Sequence, residues 1–287
     1  MEIRLALPNK GRIYQPTLDL LSKAGIILLE KDLNALFANT TDPDVKIIFV
    51  RASDIPKFVE SDAADLGVTG YDYVAESSAA VVELVNLGYG RARIVMAAHE
   101  RTGISSVGDI KRGTRIATKL SHITTDFLQQ KQVEATLVKI SGAAEIMPYI
   151  GVSDLIVDTM STGTTLKTHG LKVIAEILET SCRLIANRVS LKEKEDKITE
   201  LVTAFESVVR AAKKKLVMMN VPEESLQNVI RTVPSMGGPT LARVESKVPM
   251  WEVYSVVDDR DVYKIVGAAK KAGAKDILVL PIERIVP

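Results

Sequence analysis

A cluster of hydroxyl residues follows a short apolar segment near the middle of the chain. Leu155-Ile156-Val157 predicts a buried strand, and one glycine then stands among four hydroxyl residues: Ser161, Thr162, Gly163, Thr164 and Thr165. Hydroxyl groups donate hydrogen bonds to phosphate oxygens, and a glycine lets backbone N–H groups approach an anion closely. A helix beginning at Thr164 or Thr165 would add its own N-terminal N–H groups. The pattern predicts a phosphate-binding loop, although a Ser/Thr-rich turn that caps a helix uses the same residue types.

Asp158 stands between this predicted strand and the hydroxyl residues. A carboxylate at that point can accept hydrogen bonds from the hydroxyl groups of a sugar. It can also bind a metal ion that is carried by phosphates. Asp158 is therefore a candidate site residue with two open interpretations.

Three cations in the first part of the chain could supply the positive charge that phosphates require. Lys10 and Arg12 flank Gly11 after a predicted strand, residues 3–7, and Arg51 follows a second apolar run. Arginine presents a planar fork that fits a phosphate, and lysine presents a compact point charge. Each of these residues, taken alone, is also compatible with an ordinary solvated loop.

The predicted strands would bring these cations together. A third strand, residues 64–70, ends in Gly70 and is followed closely by Asp72. Ligands of open α/β sheets bind outside the carboxyl ends of the strands, which is where the loops after all three strands would lie. We therefore predict that the three loops converge on one site.

A change of pattern near residue 92 indicates a second α/β lobe. Strand-like segments and short helices continue from there, and the hydroxyl cluster belongs to this part. We predict that residues 92–180 form a lobe inserted into a first lobe made of residues 1–91 and 181–215. Two chain crossings, near Gly88–Gly90 and Thr180–Arg183, would form a hinge beside a cleft between the lobes.

The C-terminal part of the chain follows a different pattern. Apolar residues recur every three or four positions between Leu191 and Lys215, which predicts one long amphipathic helix. Residues 216–287 then show strand and helix patterns in the order βαββαβ, the plan of a ferredoxin-like domain. The predicted fold class is α/β, with a two-lobed part and a small C-terminal domain that suits ligand sensing or assembly.

The composition argues against several classes of protein. The 37 basic and 36 acidic residues nearly cancel, giving a formal net charge of +1, which is not typical of a nucleic-acid-binding surface. Cys182 is the single cysteine, so neither a disulfide framework nor a cysteine-rich zinc site is expected. No apolar stretch reaches the ~18 residues of a membrane span, and the N-terminus does not resemble a signal peptide. We expect a cytoplasmic protein that binds neither nucleic acid nor membranes.

Several segments, taken together, resemble one enzyme family. LPNKGR, which ends at Arg12, is similar to the opening LPKGR of that family with Asn9 inserted. RASDIP from Arg51 resembles RPxDIP with alanine in place of the usual proline, and ADLGVTGYD from Ala64 resembles ADLGITGxD. DTMSTGTTL from Asp158 resembles the phosphoribosyl loop DLVSTGxTL. ILETSCRLIAN resembles EILESSARLIAN, and ILVLPIE near the C-terminus resembles the same segment of the long form. The family is ATP phosphoribosyltransferase.

This resemblance implies a catalytic part similar in fold to type II periplasmic binding proteins and a C-terminal regulatory domain that binds histidine. It implies the first reaction of histidine biosynthesis, in which ATP and phosphoribosyl pyrophosphate (PRPP) give N1-(5-phosphoribosyl)-ATP and pyrophosphate. Mg²⁺ accompanies the pyrophosphate in that reaction. The resemblance further implies dimers and hexamers, with feedback inhibition by histidine.

The candidate residues receive roles from the resemblance and their chemistry. Residues 161–165 are assigned to the 5′-phosphate of PRPP, and Asp158 to the ribose hydroxyls, directly or through Mg²⁺. Lys10, Arg12 and Arg51 are assigned to pyrophosphate or the ATP phosphates. Gly70 and Asp72 are assigned to the nucleotide side. A histidine pocket is assigned to Asn220, Thr240 and Ala274. Two alternatives stay open at this point. One is a different phosphoribosyltransferase, because the loop alone does not choose the acceptor base. The other is a non-catalytic, two-lobed ligand-binding regulator.

Overall fold

The computed structural model describes residues 2–29 and 36–286 of the chain. The chain divides into two compact units, Met1–Ser22 with Ile26–Val202 and Lys23–Gly25 with Thr203–Pro287. Within the described ranges, every helix is too short or too polar to cross a membrane.

The described residues form strands and helices that alternate along most of the chain. In chain order the strands are β1 Ile3–Pro8, β2 Phe37–Asn39, β3 Val45–Val50, β4 Leu66–Gly70, β5 Val82–Asn86, β6 Ala92–His99, β7 Arg115–Thr118, β8 Thr136–Lys139, β9 Leu155–Met160, β10 Leu171–Thr180, β11 Cys182–Ala186, β12 Lys214–Pro222, β13 Thr240–Val244, β14 Met250–Asp258 and β15 Lys275–Pro281. The helices are α1 Tyr14–Lys23, α2 Ile55–Glu60, α3 Tyr71–Ser77, α4 Ser121–Gln130, α5 Thr164–Thr168, α6 Ser190–Glu193, α7 Glu195–Ala211, α8 Leu226–Thr232 and α9 Val262–Lys271.

The first lobe is built on a six-stranded sheet with the order β2-β3-β1-β4-β11-β5. Strand β1 lies between β3 and β4 and is parallel to both. The loops that follow these three strands therefore leave from the same edge of the sheet, as predicted. Strand β11 returns antiparallel between β4 and β5, which joins the segment after residue 180 to the first lobe.

The second lobe is built on a five-stranded sheet with the order β10-β6-β9-β7-β8. Consecutive residues of its central strands are buried on opposite faces. Leu155 and Val157 pack in the cluster that contains Phe127 of α4, whereas Ile156 packs in the cluster that contains Leu166 of α5. Because helices and loops cover both faces of this sheet, its central strands contain runs of consecutive apolar residues, such as Leu155-Ile156-Val157, rather than apolar residues at alternate positions.

The two crossings between the lobes pack against each other. The backbone N–H of Cys182 donates to the carbonyl of Tyr89 at 2.9 Å. Gly90 has φ +66°, and a Cβ atom there would lie 2.8 Å from the Cys182 Sγ atom. Only glycine fits at this point, because a larger residue would meet both an unfavourable backbone conformation and a buried side chain.

The C-terminal sheet is wholly antiparallel and has the order β13-β14-β12-β15. Alternate residues of β12 and β14, among them Val217, Val221 and Val253, pack with α8 and α9 in one core. Strand and helix order together give βαββαβ. The predicted fold class, a two-lobed α/β part followed by a ferredoxin-like domain, is confirmed, and the individual domain limits remain a prediction.

The predicted long amphipathic helix is present as α7, but its predicted limits, Leu191 to Lys215, are wrong. The short helix α6 stops at Glu193, α7 ends at Ala211, and Lys214 already pairs with Asp258 in the C-terminal sheet. The ammonium of Lys214 lies 3.0 Å from the Asp258 carboxylate. Lysine residues that suit a helix end are thus used in a strand, because pairing with β14 outweighs their helix propensity.

Candidate active site

The hydroxyl cluster forms a loop between β9 and α5. The strand ends at Met160, and α5 begins at Thr164, which agrees with the predicted start of the helix. Gly163 precedes α5 with φ +78°, a conformation that favours glycine. Buried Leu166 fixes the short helix to the second lobe.

This loop lines a cavity of about 270 Å³. Asp158 contributes from the end of β9, and Glu145 contributes a second carboxylate from the segment before that strand. The lining residues of the loop itself are Ser161, Thr162, Gly163 and Thr165. Thr164 does not line the cavity, and its hydroxyl instead lies 3.2 Å from that of Thr162. The cavity therefore combines hydroxyl donors with carboxylate acceptors, as a sugar phosphate requires.

Arg12 connects the first lobe to this loop. Its guanidinium donates a hydrogen bond of 2.6 Å to the Ser161 hydroxyl, and both residues are exposed. Arg12 follows Gly11, which has φ +91° and turns the chain after β1. A cation of one lobe thus lies next to the hydroxyl loop of the other, in the arrangement that the sequence predicted.

Lys10 and Arg51 lie on the same edge of the first lobe. Pro8 and Val50 are paired at the ends of β1 and β3, and the N–H of Asn9 donates to the Val50 carbonyl at 2.8 Å. Lys10 and Arg51 follow directly and are exposed. Among the described residues, neither side chain forms an ion pair or a hydrogen bond with any other residue. Their charges are therefore free to meet an anionic ligand.

Asp72 is placed differently from these cations. It is 5% exposed, and its carboxylate accepts a hydrogen bond of 2.8 Å from the Thr180 hydroxyl at the end of β10. Thr180 in turn accepts from the backbone N–H of Asp72 at 3.0 Å. A Cβ atom on Gly70 would lie 2.3 Å from the Asp72 carboxylate, so the glycine makes room for this contact. The Asp72 side chain joins the lobes at the hinge rather than pointing into solvent.

Glu76 makes another contact between the lobes. Its carboxylate accepts hydrogen bonds from the backbone N–H groups of His122 at 3.0 Å and Ile123 at 3.1 Å. Leu120 occupies the N-cap position of α4 and has no side chain that could satisfy these donors. Glu76 of the first lobe therefore caps a helix of the second lobe.

Asp158 is held by one hydrogen bond and one ion pair, both on the same oxygen. Its Oδ1 accepts from the N–H of Thr159 at 2.7 Å and lies 3.2 Å from the ammonium of Lys119. Tyr73 lies in the same electrostatic environment. Burial and the Asp72 charge raise the pKa of the Tyr73 phenol, whereas Lys119 and Arg12 act in the opposite direction. The phenol is therefore neutral at physiological pH and can donate a hydrogen bond.

Comparison with known proteins decides between the alternatives that the sequence left open. Residues 51–207 match the family model described as HisG: ATP phosphoribosyltransferase, and residues 211–284 match the model of its C-terminal domain. The chain belongs to the ATP phosphoribosyltransferase family. The protein is thus a transferase, the enzyme of the first step of histidine biosynthesis, and the predicted resemblance is confirmed.

Full-length relatives carry the same name. The chain is 47% identical to an ATP phosphoribosyltransferase of Ignicoccus hospitalis, covering 99% of this chain and 100% of the relative. It is 45% identical to that of Methanocaldococcus jannaschii, with 99% of each chain covered. Among solved structures, it is similar to a chain of the ATP phosphoribosyl transferase (HisG:HisZ) complex from Thermotoga maritima. That match has a TM-score of 0.62 and 27% identity, and it covers 71% of this chain and 98% of the other.

Lys119 and Glu145 also belong to the surroundings of this site, and the sequence patterns did not indicate either of them. Lys119 directly follows β7, so the rule that located Lys10 and Arg51 at strand ends also applies to it. Glu145 lies in a short 3₁₀ helix before β9 and carries no local signal, because only the fold brings it to the cavity.

The three residues assigned to a histidine pocket do not form one cluster. The Asn220 amide donates to the Asp276 carboxylate at 3.1 Å, and Asn220 pairs with Lys275, next to buried Ala274. Thr240 is exposed at the start of β13, and β14 separates that strand from β12. Asn220 and Ala274 are therefore neighbours, whereas Thr240 lies two strands away.

Proposed function

We propose that the enzyme transfers the phosphoribosyl group of PRPP to N1 of ATP. The bond between C1 of the ribose and the pyrophosphate oxygen breaks, and a bond between C1 and N1 forms. The products are N1-(5-phosphoribosyl)-ATP and pyrophosphate. Family membership supports the substrates, and the hydroxyl loop with its adjacent cations supports this course of the reaction.

The hydrogen bond between Arg12 and Ser161 carries the proposal. It shows that a cation of the first lobe reaches the loop to which we assign the 5′-phosphate, residues 161–165. PRPP has phosphate groups at both ends of its ribose, so its site needs hydroxyl donors and cations within a few ångströms of each other. Holding PRPP and ATP in reactive orientation can contribute about 7–11 kcal/mol in favourable cases.

We assign the developing charge of the pyrophosphate to Lys10, Arg12 and Arg51. Charged groups that are already in place stabilise a leaving anion without having to reorganise. Asp158 faces the hydroxyls of the ribose. Gly70 and Asp72 border the nucleotide side, where the Asp72 carboxylate keeps Thr180 in place.

We propose Mg²⁺ as the metal of the reaction, bound mainly by the substrate. In the described part of the chain, no three His, Cys, Asp or Glu side chains form a metal-binding group. The cavity does contain Asp158 and Glu145, and Mg²⁺ is commonly held by one or two carboxylates together with substrate phosphates. The residues present fit such a shared site, in which the cation would neutralise pyrophosphate charge.

The test of the catalytic assignment is the change of ultraviolet absorbance when ATP, PRPP and Mg²⁺ are mixed with the enzyme. Substitution at N1 alters the adenine spectrum, so turnover is followed directly. Arg12→Ala should lower kcat about 10²–10³-fold, the usual loss for one preorganised donor. Arg112→Ala is the matched control, because this arginine is 91% exposed and its one ion-pair partner among the described residues is Glu134. Turnover of a folded Arg12→Ala variant at the control rate would remove Arg12 from the mechanism.

The phosphate assignment is tested by binding. Thr162→Val removes one hydroxyl with little change of shape and should weaken PRPP binding in calorimetry by about tenfold. ATP binding should be unchanged. Wild-type PRPP affinity in this variant would contradict the assignment of the loop.

We also propose that histidine inhibits the enzyme by binding its C-terminal domain. Asn220, Thr240 and Ala274 remain the assigned residues, with Asn220 and Ala274 as the neighbouring pair. Asn220→Ala should raise the histidine concentration needed for half inhibition without changing activity in its absence. Inhibition of Asn220→Ala at wild-type histidine concentrations would contradict the assignment of Asn220 to the histidine site.

We propose that the enzyme forms dimers and hexamers. Light scattering after size-exclusion chromatography, with and without histidine, measures the mass of each species. A monomer under all conditions would contradict this proposal.

A further inference from the structure

Lys119 contacts Asp158, a residue that lines the cavity, from the neighbouring strand. β7 and β9 are parallel, and Thr118 at the end of β7 pairs with Val157. The residues that follow this pair, Lys119 and Asp158, are therefore neighbours across the two strands. The Lys119 Nζ atom lies 3.2 Å from the Asp158 Oδ1 atom, and the side chains are 42% and 24% exposed.

The two carboxylate oxygens of Asp158 have different surroundings. Oδ1 accepts from the N–H of Thr159 at 2.7 Å and also faces the Lys119 ammonium. Oδ2 has no hydrogen-bond donor among the residues that the structure describes. A carboxylate can accept about four hydrogen bonds, so Oδ2 keeps its full capacity. Because Asp158 lines the cavity, Oδ2 is the oxygen left for a ligand.

We propose that Lys119 is a positioning residue that holds Asp158 so that Oδ2 accepts hydrogen bonds from the ribose hydroxyls of PRPP. This inference rests on the proposed function and makes one of its assignments specific. With Oδ1 engaged by the Thr159 N–H and the Lys119 ammonium, Oδ2 is the oxygen that turns to the sugar, and this contact is direct. Lys119 acts through Asp158 and not on the phosphate groups.

A pair of phosphate esters separates the contact with the sugar from the contact with the phosphate. Methyl riboside 5-phosphate carries both ribose hydroxyls, and it cannot open to an aldehyde that would react with a lysine. Its 2,3-dideoxy analogue carries the same phosphate without these hydroxyls. Calorimetry without Mg²⁺ then gives the ratio of the two dissociation constants, which measures recognition of the hydroxyls alone.

Wild-type enzyme should bind the riboside at least tenfold more tightly than the dideoxy analogue, since hydrogen bonds to charged groups contribute about tenfold to hundredfold in affinity. Lys119→Met should bring this preference close to one while leaving the affinity for the dideoxy analogue unchanged. Lys119→Arg should restore part of the preference. Adding Lys119→Met to Asp158→Ala should have no further effect, because both changes remove the same contact.

Two control variants should keep the wild-type ratio of the two dissociation constants. Arg115 and Asp154 form a similar ion pair of 3.0 Å at the other ends of the same two strands, so Arg115→Met tests the loss of such a pair away from the cavity. It should keep the wild-type preference. Thr162→Val should weaken both esters equally, because it removes a phosphate contact.

Two results would overturn the inference. Lys119→Met with the wild-type preference would show that Asp158 does not depend on Lys119. Equal weakening of both esters by Lys119→Met would place the lysine on the phosphate. Failure of the wild-type enzyme to bind either ester would instead remove the phosphoribosyl assignment of the loop, on which the inference depends.

Discussion

The Asp65 carboxylate should stabilise the first lobe strongly and in a pH-dependent manner. Asp65 precedes β4 and is fully buried. Its oxygens accept hydrogen bonds from the Arg4 backbone at 2.7 Å, the Ser190 hydroxyl at 2.7 Å and the Lys194 ammonium at 2.8 Å. Burial alone would raise the pKa of Asp65, but the hydrogen bonds from Arg4, Lys194 and Ser190 lower it from 3.8 to about 2.

The difference between the unfolded-state and folded-state pKa values of Asp65 sets how strongly its carboxylate stabilises the first lobe. At about 1.4 kcal/mol per pKa unit, the change from 3.8 to about 2 corresponds to about 2.5 kcal/mol. Because the folded-state pKa is the lower one, this stabilisation is fully present above pH 4. It is lost as the pH falls from about 4 toward 2. Asp65→Asn should lower the free energy of unfolding by about 3 kcal/mol at neutral pH. The amide of the new asparagine would turn N–H donors toward the donors of Arg4 and Lys194.

Urea unfolding followed by circular dichroism at pH 7 and pH 3 measures this difference. The free energies of unfolding of wild type and Asp65→Asn should differ most at pH 7 and should approach each other at pH 3. Asp62→Asn is the matched control, because Asp62 pairs with the same Arg4 at 3.1 Å but is 64% exposed. Its cost should stay below about 1 kcal/mol. An equal difference between wild type and Asp65→Asn at both pH values would refute the reasoning.

Three further predictions concern the hinge and the contact between the lobes. Gly90→Ala should lower the free energy of unfolding by about 3 kcal/mol, and Gly88→Ala by about 1 kcal/mol. The larger loss at Gly90 is expected because, of these two glycines, only Gly90 has atoms that a Cβ would clash with. Thermal denaturation compares the two variants. Glu76→Gln should destabilise by about 1 kcal/mol through a weaker helix cap, measured by urea unfolding, and an unchanged midpoint would contradict the contact. Burial raises the pKa of the Cys182 thiol to about 12, so a disulfide reagent at pH 8 should label one thiol in denaturant and almost none in the native enzyme.

The strand–loop–helix segments could be predicted because their signals are local. Gly163 and Thr164 define the end of a loop and the start of a helix through residue type alone. The apolar segment before Asp158 similarly indicated a buried strand. The loops with Lys10, Arg12 and Arg51 were located by one general rule about the carboxyl ends of parallel strands.

The residues that were missed depend on pairing between distant segments. Lys119 is next to Asp158 only because β7 and β9 are parallel neighbours, a relation that short-range patterns do not contain. Lys214 was assigned to a helix because its pairing with Asp258 is equally remote in sequence. The contact of the Asp72 carboxylate with Thr180, a residue 108 positions away, is likewise absent from short-range patterns.

The contact of Glu76 with α4 also provides a measure of motion. Separating the lobes must break the hydrogen bonds to the N–H groups of His122 and Ile123 and expose them to water. Amides in the middle of the same helix keep their partners during this movement. The deuterium uptake of two residues thus records how often the cleft opens, without any attached label. Comparing that uptake with and without PRPP would show how much of the time the substrate keeps the lobes together.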